Sequence, residues 1–67
     1  MNLQNLKRLM EEKGISSYRL AKLSGVNESM LSRILRKQVK NPGILTVMAI
    51  ARALEVDINC IIDTEAL

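Results

Sequence analysis

The stretch LAKLSGVNESMLSRIL, residues 20–35, contains two short apolar patterns separated by a glycine. Ala21 lies four residues before Gly25, while Leu31 and Ile34 lie six and nine residues after it. Apolar residues at such intervals are typical of helices, and glycine permits the positive φ that a tight turn requires. The stretch therefore predicts two helices that cross at a steep angle and are joined by about three residues.

Apolar residues recur at helical spacing on both sides of this pair, so we expect an all-α fold without a sheet. Gly14 and Gly25 are expected to end helices. A hydroxyl of Ser16 or Ser17 is expected to cap the second helix, and Asn27 the third. The five expected helices cover roughly 3–13, Ser16 or Ser17 to about Ser24, 28–36, 44–54 and a short stretch after Asp57. Their expected inner faces hold Leu3, Leu6, Leu9, Met10, Leu20, Ala21, Leu23, Leu31, Ile34, Leu35, Ile44, Val47, Met48, Ala51, Leu54, Ile58, Ile61 and Ile62.

Length and composition restrict the class of protein. The chain has 67 residues, which predicts one small domain over residues 1–67. Its N-terminus carries both charge signs and it has no apolar run of about 18 residues, so we expect neither export nor membrane insertion but a cytoplasmic protein. The net charge of +3 has the sign that a polyanionic partner requires. With one cysteine, Cys60, and no histidine, an internal disulfide and a Cys/His zinc site are both excluded, and no metal or cofactor is expected.

Residues 6–34, LKRLMEEKGISSYRLAKLSGVNESMLSRI, resemble the helix-turn-helix family of phage repressors and Cro proteins, also described as lambda-repressor-like or XRE-like. The pairs and runs at the family's spacing are Leu20-Ala21, Ser24-Gly25-Val26 and Leu31-Ser32-Arg33-Ile34, followed by Asn41-Pro42 and IARALEVDINCII. The resemblance covers nearly the whole chain. It implies a compact five-helix domain whose third helix lies in the DNA major groove while the second crosses the backbone. It also implies a sequence-specific regulator of transcription that binds double-stranded DNA, expected to be a repressor.

The outer positions of the third helix are expected to contact DNA bases. Arg33 is the strongest candidate, because its planar fork can bond O6 and N7 of guanine together; the alternative is contact with phosphate or solvent alone. The alternative for Ser29 and Ser32 is that each is only a tolerated surface residue. The alternative for Glu28 is that the helix dipole favours its carboxylate in the first turn, without any contact with a base. The base-reading residues implied are thus Arg33, Ser29, Glu28 and Ser32. The phosphate contacts implied are Ser17, through its backbone N–H, and Arg36, Lys37, Lys40 and Asn41.

Three features depart from the family pattern. Ser17 stands where a glutamine is usual, which shortens a side chain that would reach phosphate. Met10 and Leu35 occupy positions at which the family pairs a basic with an acidic residue, so we expect apolar packing across the same gap. The glycine that usually ends the third helix is absent, and residues 37–39 are therefore expected to form either a longer helix or a different loop.

Functions other than DNA binding have weaker support in the residues. An enzyme is not expected, since without histidine the serine hydroxyls have no obvious general base. The alternative is a protein-interaction module, such as an antitoxin-like partner or a regulator with a protein antagonist, and an exposed apolar patch away from the third helix would favour it. One recognition helix covers only about 3–5 base pairs, so we expect a homodimer, at least on DNA, on a near-palindromic operator. Its contact is expected at the corner of the fourth and fifth helices and along residues 55–67, near Cys60.

Overall fold

The structure, a computed structural model, describes residues 1–39 and 42–62. These residues form helices and connecting turns and contain no strand, which confirms the all-α prediction for the part of the chain described. The elements are α1 (Leu3–Lys13), α2 (Ser17–Ser24), α3 (Glu28–Leu35), α4 (Ile44–Ala53) and a single 3-10 turn (Ile58–Cys60).

The helices α1, α2 and α3 begin after residues whose side chains accept a backbone N–H, whereas α4 begins after Gly43 without a side-chain cap. The Oγ of Ser16 accepts from the N–H of Arg19 at 3.2 Å, so Ser16 rather than Ser17 caps α2. Asn27 caps α3 as expected, because its Oδ1 accepts from Ser29 N at 2.8 Å and from Met30 N at 3.4 Å. Such bonds satisfy donors that have no partner within the helix, which explains why these boundaries could be located in the sequence.

The helices end on left-handed residues, two of which are the expected glycines. Gly14 has φ 65° and Gly25 has φ 76°. Lys37 and Glu55 adopt the same conformation without being glycine, with φ 62° and φ 57°. Lys37 follows the C-cap Arg36, so α3 does not extend through residues 37–39, and the chain turns as it would at a glycine.

The core lies where α1, α2, α3 and α4 meet, covered by the 3-10 turn. Met10 is 8% exposed, and Leu35 packs partly buried against the same apolar cluster, in agreement with the expected apolar packing at these positions. Among the described residues, no helix is long and apolar enough to cross a membrane. The largest fully buried side chains are Leu6, Leu20, Leu31, Ile50, Leu54 and Ile61.

Three residues assigned to the core are exposed instead: Leu23 (50%), Ile44 (60%) and Met48 (42%). At the end of α2, Ser24 rather than Leu23 is partly buried, and its Oγ donates to the carbonyl of Ala21 at 3.4 Å. Leu23 is turned about 100° from Ser24 around the helix and points away from the core. On α4, the buried side of the helix includes Ile50. Met48 lies at the edge of this buried side, and Ile44 lies in the exposed first turn.

The predicted fifth helix is not confirmed, because the described residues after Asp57 form one 3-10 turn. The Asp57 side chain accepts from Asn59 N at 2.8 Å, and its carbonyl accepts from Cys60 N at 2.9 Å. Ile61 is fully buried, which anchors the turn to the core. Ile58 and Ile62 are partly buried against the same core, in agreement with their predicted inward positions.

Candidate nucleic-acid interface

A three-residue turn, residues 25–27, joins α2 to α3. The N–H of Gly25 donates to the Ala21 carbonyl at 2.9 Å, and the N–H of Val26 donates to Ser24 Oγ at 3.2 Å. Val26 packs partly buried against the core, so contacts on both sides of Gly25 fix the turn. The helices α2 and α3 pack against each other across this three-residue connection, whose length the spacing around Gly25 predicted. The side of α3 opposite Leu31 and Ile34 is exposed.

The exposed side of α3 lines a shallow depression with a volume of about 410 Å³. We call the residues that line it the α3 surface. The structure brings all four predicted base-reading residues together there. Arg36, predicted to contact phosphate, lines the same surface, and so does Gln38, which had no predicted role. The residues that define the α3 surface are Glu28, Ser29, Ser32, Arg33, Arg36 and Gln38.

Arg33 lies between buried neighbours that determine its direction. Leu31 is 0% exposed and Ile34 is 2% exposed, which leaves Arg33 on the outside of the helix, where it is exposed. Glu28 and Ser29 are exposed in the first turn, and Ser32 is partly covered. With two guanidinium groups and one carboxylate, the α3 surface carries a net positive charge and both donors and acceptors of hydrogen bonds.

Arg36 does not extend away from the helix. Its Nη2 donates to the Oγ of Ser32 at 2.7 Å, and its Nε donates to the Ser32 carbonyl at 3.4 Å. The side chain therefore folds back by one helical turn and lies along the α3 surface. These contacts could not be found from apolar periodicity, since both residues were expected only to face outward.

Gln38 reaches the α3 surface because the chain reverses at Lys37. The N–H of Lys37 donates to the Ile34 carbonyl at 3.1 Å, and the N–H of Gln38 donates to the Arg33 carbonyl at 2.9 Å. This pair of bonds is the Schellman motif, which normally relies on glycine at its left-handed position. Without a glycine in the sequence to mark the motif, the return of Gln38 toward Arg33 had no local signal.

The predicted phosphate contacts are less clustered. Ser17 lies in the first turn of α2, where backbone N–H groups lack an acceptor within the helix, and it does not line the α3 surface. Lys37 borders a neighbouring depression of about 250 Å³, otherwise lined by apolar residues of the N-terminus, α3 and the following loop. Lys40 and Asn41 lie outside the described residues.

Two packed helices, a short glycine turn and an exposed polar face on the second helix define a helix-turn-helix protein. Residues 5–66 match the sequence model of the Cro/C1-type HTH DNA-binding domain, and the chain belongs to that family. DNA is therefore its partner, and its general role is that of a DNA-binding regulator, in a family that is typically non-enzymatic. No curated protein and no solved structure is significantly similar to the chain.

Proposed function

We propose that α3 enters the major groove of duplex DNA and that the protein acts as a sequence-specific repressor of transcription. The observation that carries this proposal is the α3 surface, which presents arginine, serine, glutamate and glutamine side chains on one exposed side of a short helix. The major groove accepts a helix and displays a distinct pattern of donors and acceptors for each base pair. A protein that occupies such a site can repress by excluding other proteins from the same DNA.

Within this surface Arg33 is the principal base-reading residue. Its exposed guanidinium can bond O6 and N7 of one guanine, the commonest specific contact between proteins and DNA. Glu28 can accept from the amino group of cytosine, and the hydroxyl of Ser29 can donate or accept. Both lie in the first turn of α3, where the N-terminal residues of a recognition helix meet base edges.

Phosphate contacts outside the α3 surface orient the protein on the duplex. The backbone N–H of Ser17 lies at the N-terminus of α2, where the helix dipole favours an anion. Lys37 supplies an exposed ammonium group immediately after α3. Lys40 and Asn41 complete the proposed contacts from their position in the sequence. None of these groups selects a base, so they contribute affinity and register.

A homodimer on a near-palindromic operator is the proposed binding form, because the exposed part of one α3 covers too few base pairs for specificity. The first two turns of α4 expose Ile44 (60%), Leu45 (77%) and Met48 (42%). Met48 also borders a depression of about 360 Å³ with Val56 and Ile58, at the corner between α4 and the 3-10 turn. Together Ile44, Leu45, Met48, Val56 and Ile58 form an apolar strip that extends to the corner at which the subunit contact was expected. The exposed Cys60 lies in the 3-10 turn at this corner.

The same apolar strip supports a second candidate function, binding of a protein antagonist or an antitoxin-like partnership with another protein. It lies on α4, separate from the α3 surface, so DNA and a protein can be bound by different faces. A chain that is monomeric in solution and remains monomeric on DNA would leave the strip available to such a partner.

The substitution Arg33→Ala tests the major-groove proposal. Loss of a fork on guanine should cost about 1–3 kcal/mol on the preferred site and relax selection at one base position per half-site. Competition binding against duplexes varied one position at a time measures both effects. Arg8→Ala is the matched control, because Arg8 is an exposed arginine on α1 whose ion pair with Glu12, at 3.8 Å, is solvent-exposed. Equal losses on every duplex for Arg33→Ala would show that Arg33 contacts only phosphate.

A further inference from the structure

The guanidinium of Arg36 uses one of its two hydrogen-bonding edges on Ser32. The first edge carries Nε–H and one N–H of Nη2, and these are the groups that meet the carbonyl and hydroxyl oxygens of Ser32, at 3.4 Å and 2.7 Å. The second edge carries the other N–H of Nη2 and one of Nη1. No hydrogen bond joins Nη1 of Arg36 to a residue in the described part of the chain.

The second edge has the geometry that recognises guanine. Two parallel N–H groups of an arginine fit O6 and N7 of that base, whereas a lysine ammonium lacks the fork. Arg36 lines the α3 surface together with Arg33, so its guanidinium lies on the side of α3 proposed to face the groove.

We propose that Arg36 reads a second guanine and that Ser32 is the positioning residue that holds its guanidinium in place. This inference rests on the proposed function of α3 and changes the roles of both residues: Arg36 moves from phosphate to base, and Ser32 acts through Arg36 rather than on a base directly. The Arg36 side chain folds back by one helical turn onto Ser32, the residue before Arg33, and both arginines line the α3 surface. The two guanines therefore lie close together in each half-site.

The test compares Arg36→Lys with the wild type on duplexes varied one position at a time. Lysine keeps the charge and loses the fork, so the preference at one base position should fall by roughly 5- to 150-fold, while non-specific affinity and the salt dependence stay unchanged. The position affected should differ from the one that Arg33→Ala relaxes. Preservation of every base preference in Arg36→Lys would overturn the inference and return Arg36 to a phosphate contact.

Two substitutions at Ser32 test the positioning role. Ser32→Ala should weaken the same base preference as Arg36→Lys, by a smaller factor, and should have no further effect when added to Arg36→Lys. Ser32→Thr keeps a hydroxyl and should restore the preference. If Ser32→Ala relaxes a position that Arg36→Lys leaves intact, Ser32 reads that base itself and the positioning role is wrong.

A measurement without DNA separates this inference from the proposed function. In the free protein, Ser32→Ala should shift the NMR signal of the Arg36 Nη2 group, which donates to the Ser32 hydroxyl, while the corresponding Arg33 signal stays in place. An unchanged Arg36 signal would show that the contact with Ser32 is absent in solution and would overturn the positioning role. A wild-type chain that selects no DNA sequence would instead refute the proposed function, and the base contact of Arg36 with it. Far-UV circular dichroism of each variant confirms that the helices are intact.

Discussion

Lys37 adopts a left-handed backbone at the end of α3, and we expect Lys37→Gly to stabilise the protein. Its φ is 62°, a conformation that costs an L-residue about 1–2 kcal/mol and costs glycine almost nothing. Glycine also gives the unfolded chain more freedom, which offsets about 0.4–1 kcal/mol of that gain. The expected net increase in the free energy of unfolding is about 1 kcal/mol, or a rise in Tm of about 4–8 °C for a domain of this size.

Lys37→Ala is the matched control, because it removes the same ammonium group and retains the left-handed strain. Gly14→Ala provides the reverse comparison: Gly14 has φ 65°, and a Cβ there would meet nothing within 4 Å. Its expected cost of about 1 kcal/mol therefore comes from the backbone alone. Urea unfolding followed by circular dichroism, without DNA, measures all three variants. An alanine at position 37 as stable as the glycine would refute the proposed strain.

The remaining predictions concern binding and assembly. Lys37→Ala or Lys40→Ala should weaken binding equally on all duplexes and lower the slope of log K against log salt concentration by about 1 for each phosphate that the variant no longer neutralises; an unaltered slope would remove that lysine from the interface. Leu45→Lys should leave stability within about 0.5 kcal/mol, since Leu45 is 77% exposed, but shift dimers on DNA toward monomers in sedimentation; dimers as tight as wild type would place the subunit interface elsewhere. Reducing agent should leave the helical circular dichroism unchanged, because Cys60 is the only cysteine and is exposed, and a loss of signal would contradict this.

Helix boundaries were the most predictable part of the fold because each depends on nearby residues. Ser16 and Asn27 bond to N–H groups two or three residues ahead, and Gly14 and Gly25 adopt a conformation that few other residues adopt readily. The limit of such reasoning is visible at Lys37, which takes the left-handed conformation without the usual residue. From the sequence alone, residues 37–39 could form either a longer helix or a different loop.

The location of the candidate site was also predictable from local spacing. Once Leu31 and Ile34 face inward, the helical repeat places Arg33 outside, and Glu28 and Ser29 follow from the position of the Asn27 cap. These relations depend on intervals within one helix and need no knowledge of the neighbouring elements. The family resemblance rests on the same intervals, and the family match over residues 5–66 confirms it.

Only the tertiary structure decided which apolar residues are buried and how side chains on the α3 surface meet. Periodicity places Met48 and Ala51, three residues apart, on the same side of α4, but burial depends on where the other helices pack, and this covers Ala51 and exposes Met48. Likewise, the fold-back of Arg36 onto Ser32 depends on a side-chain conformation, and the approach of Gln38 depends on a chain reversal. The sequence by itself determined α1 to α4 and the outward face of α3, because those follow from local bonds and the helical repeat. The core and the contacts within the site depend on distances between elements, which no local interval contains.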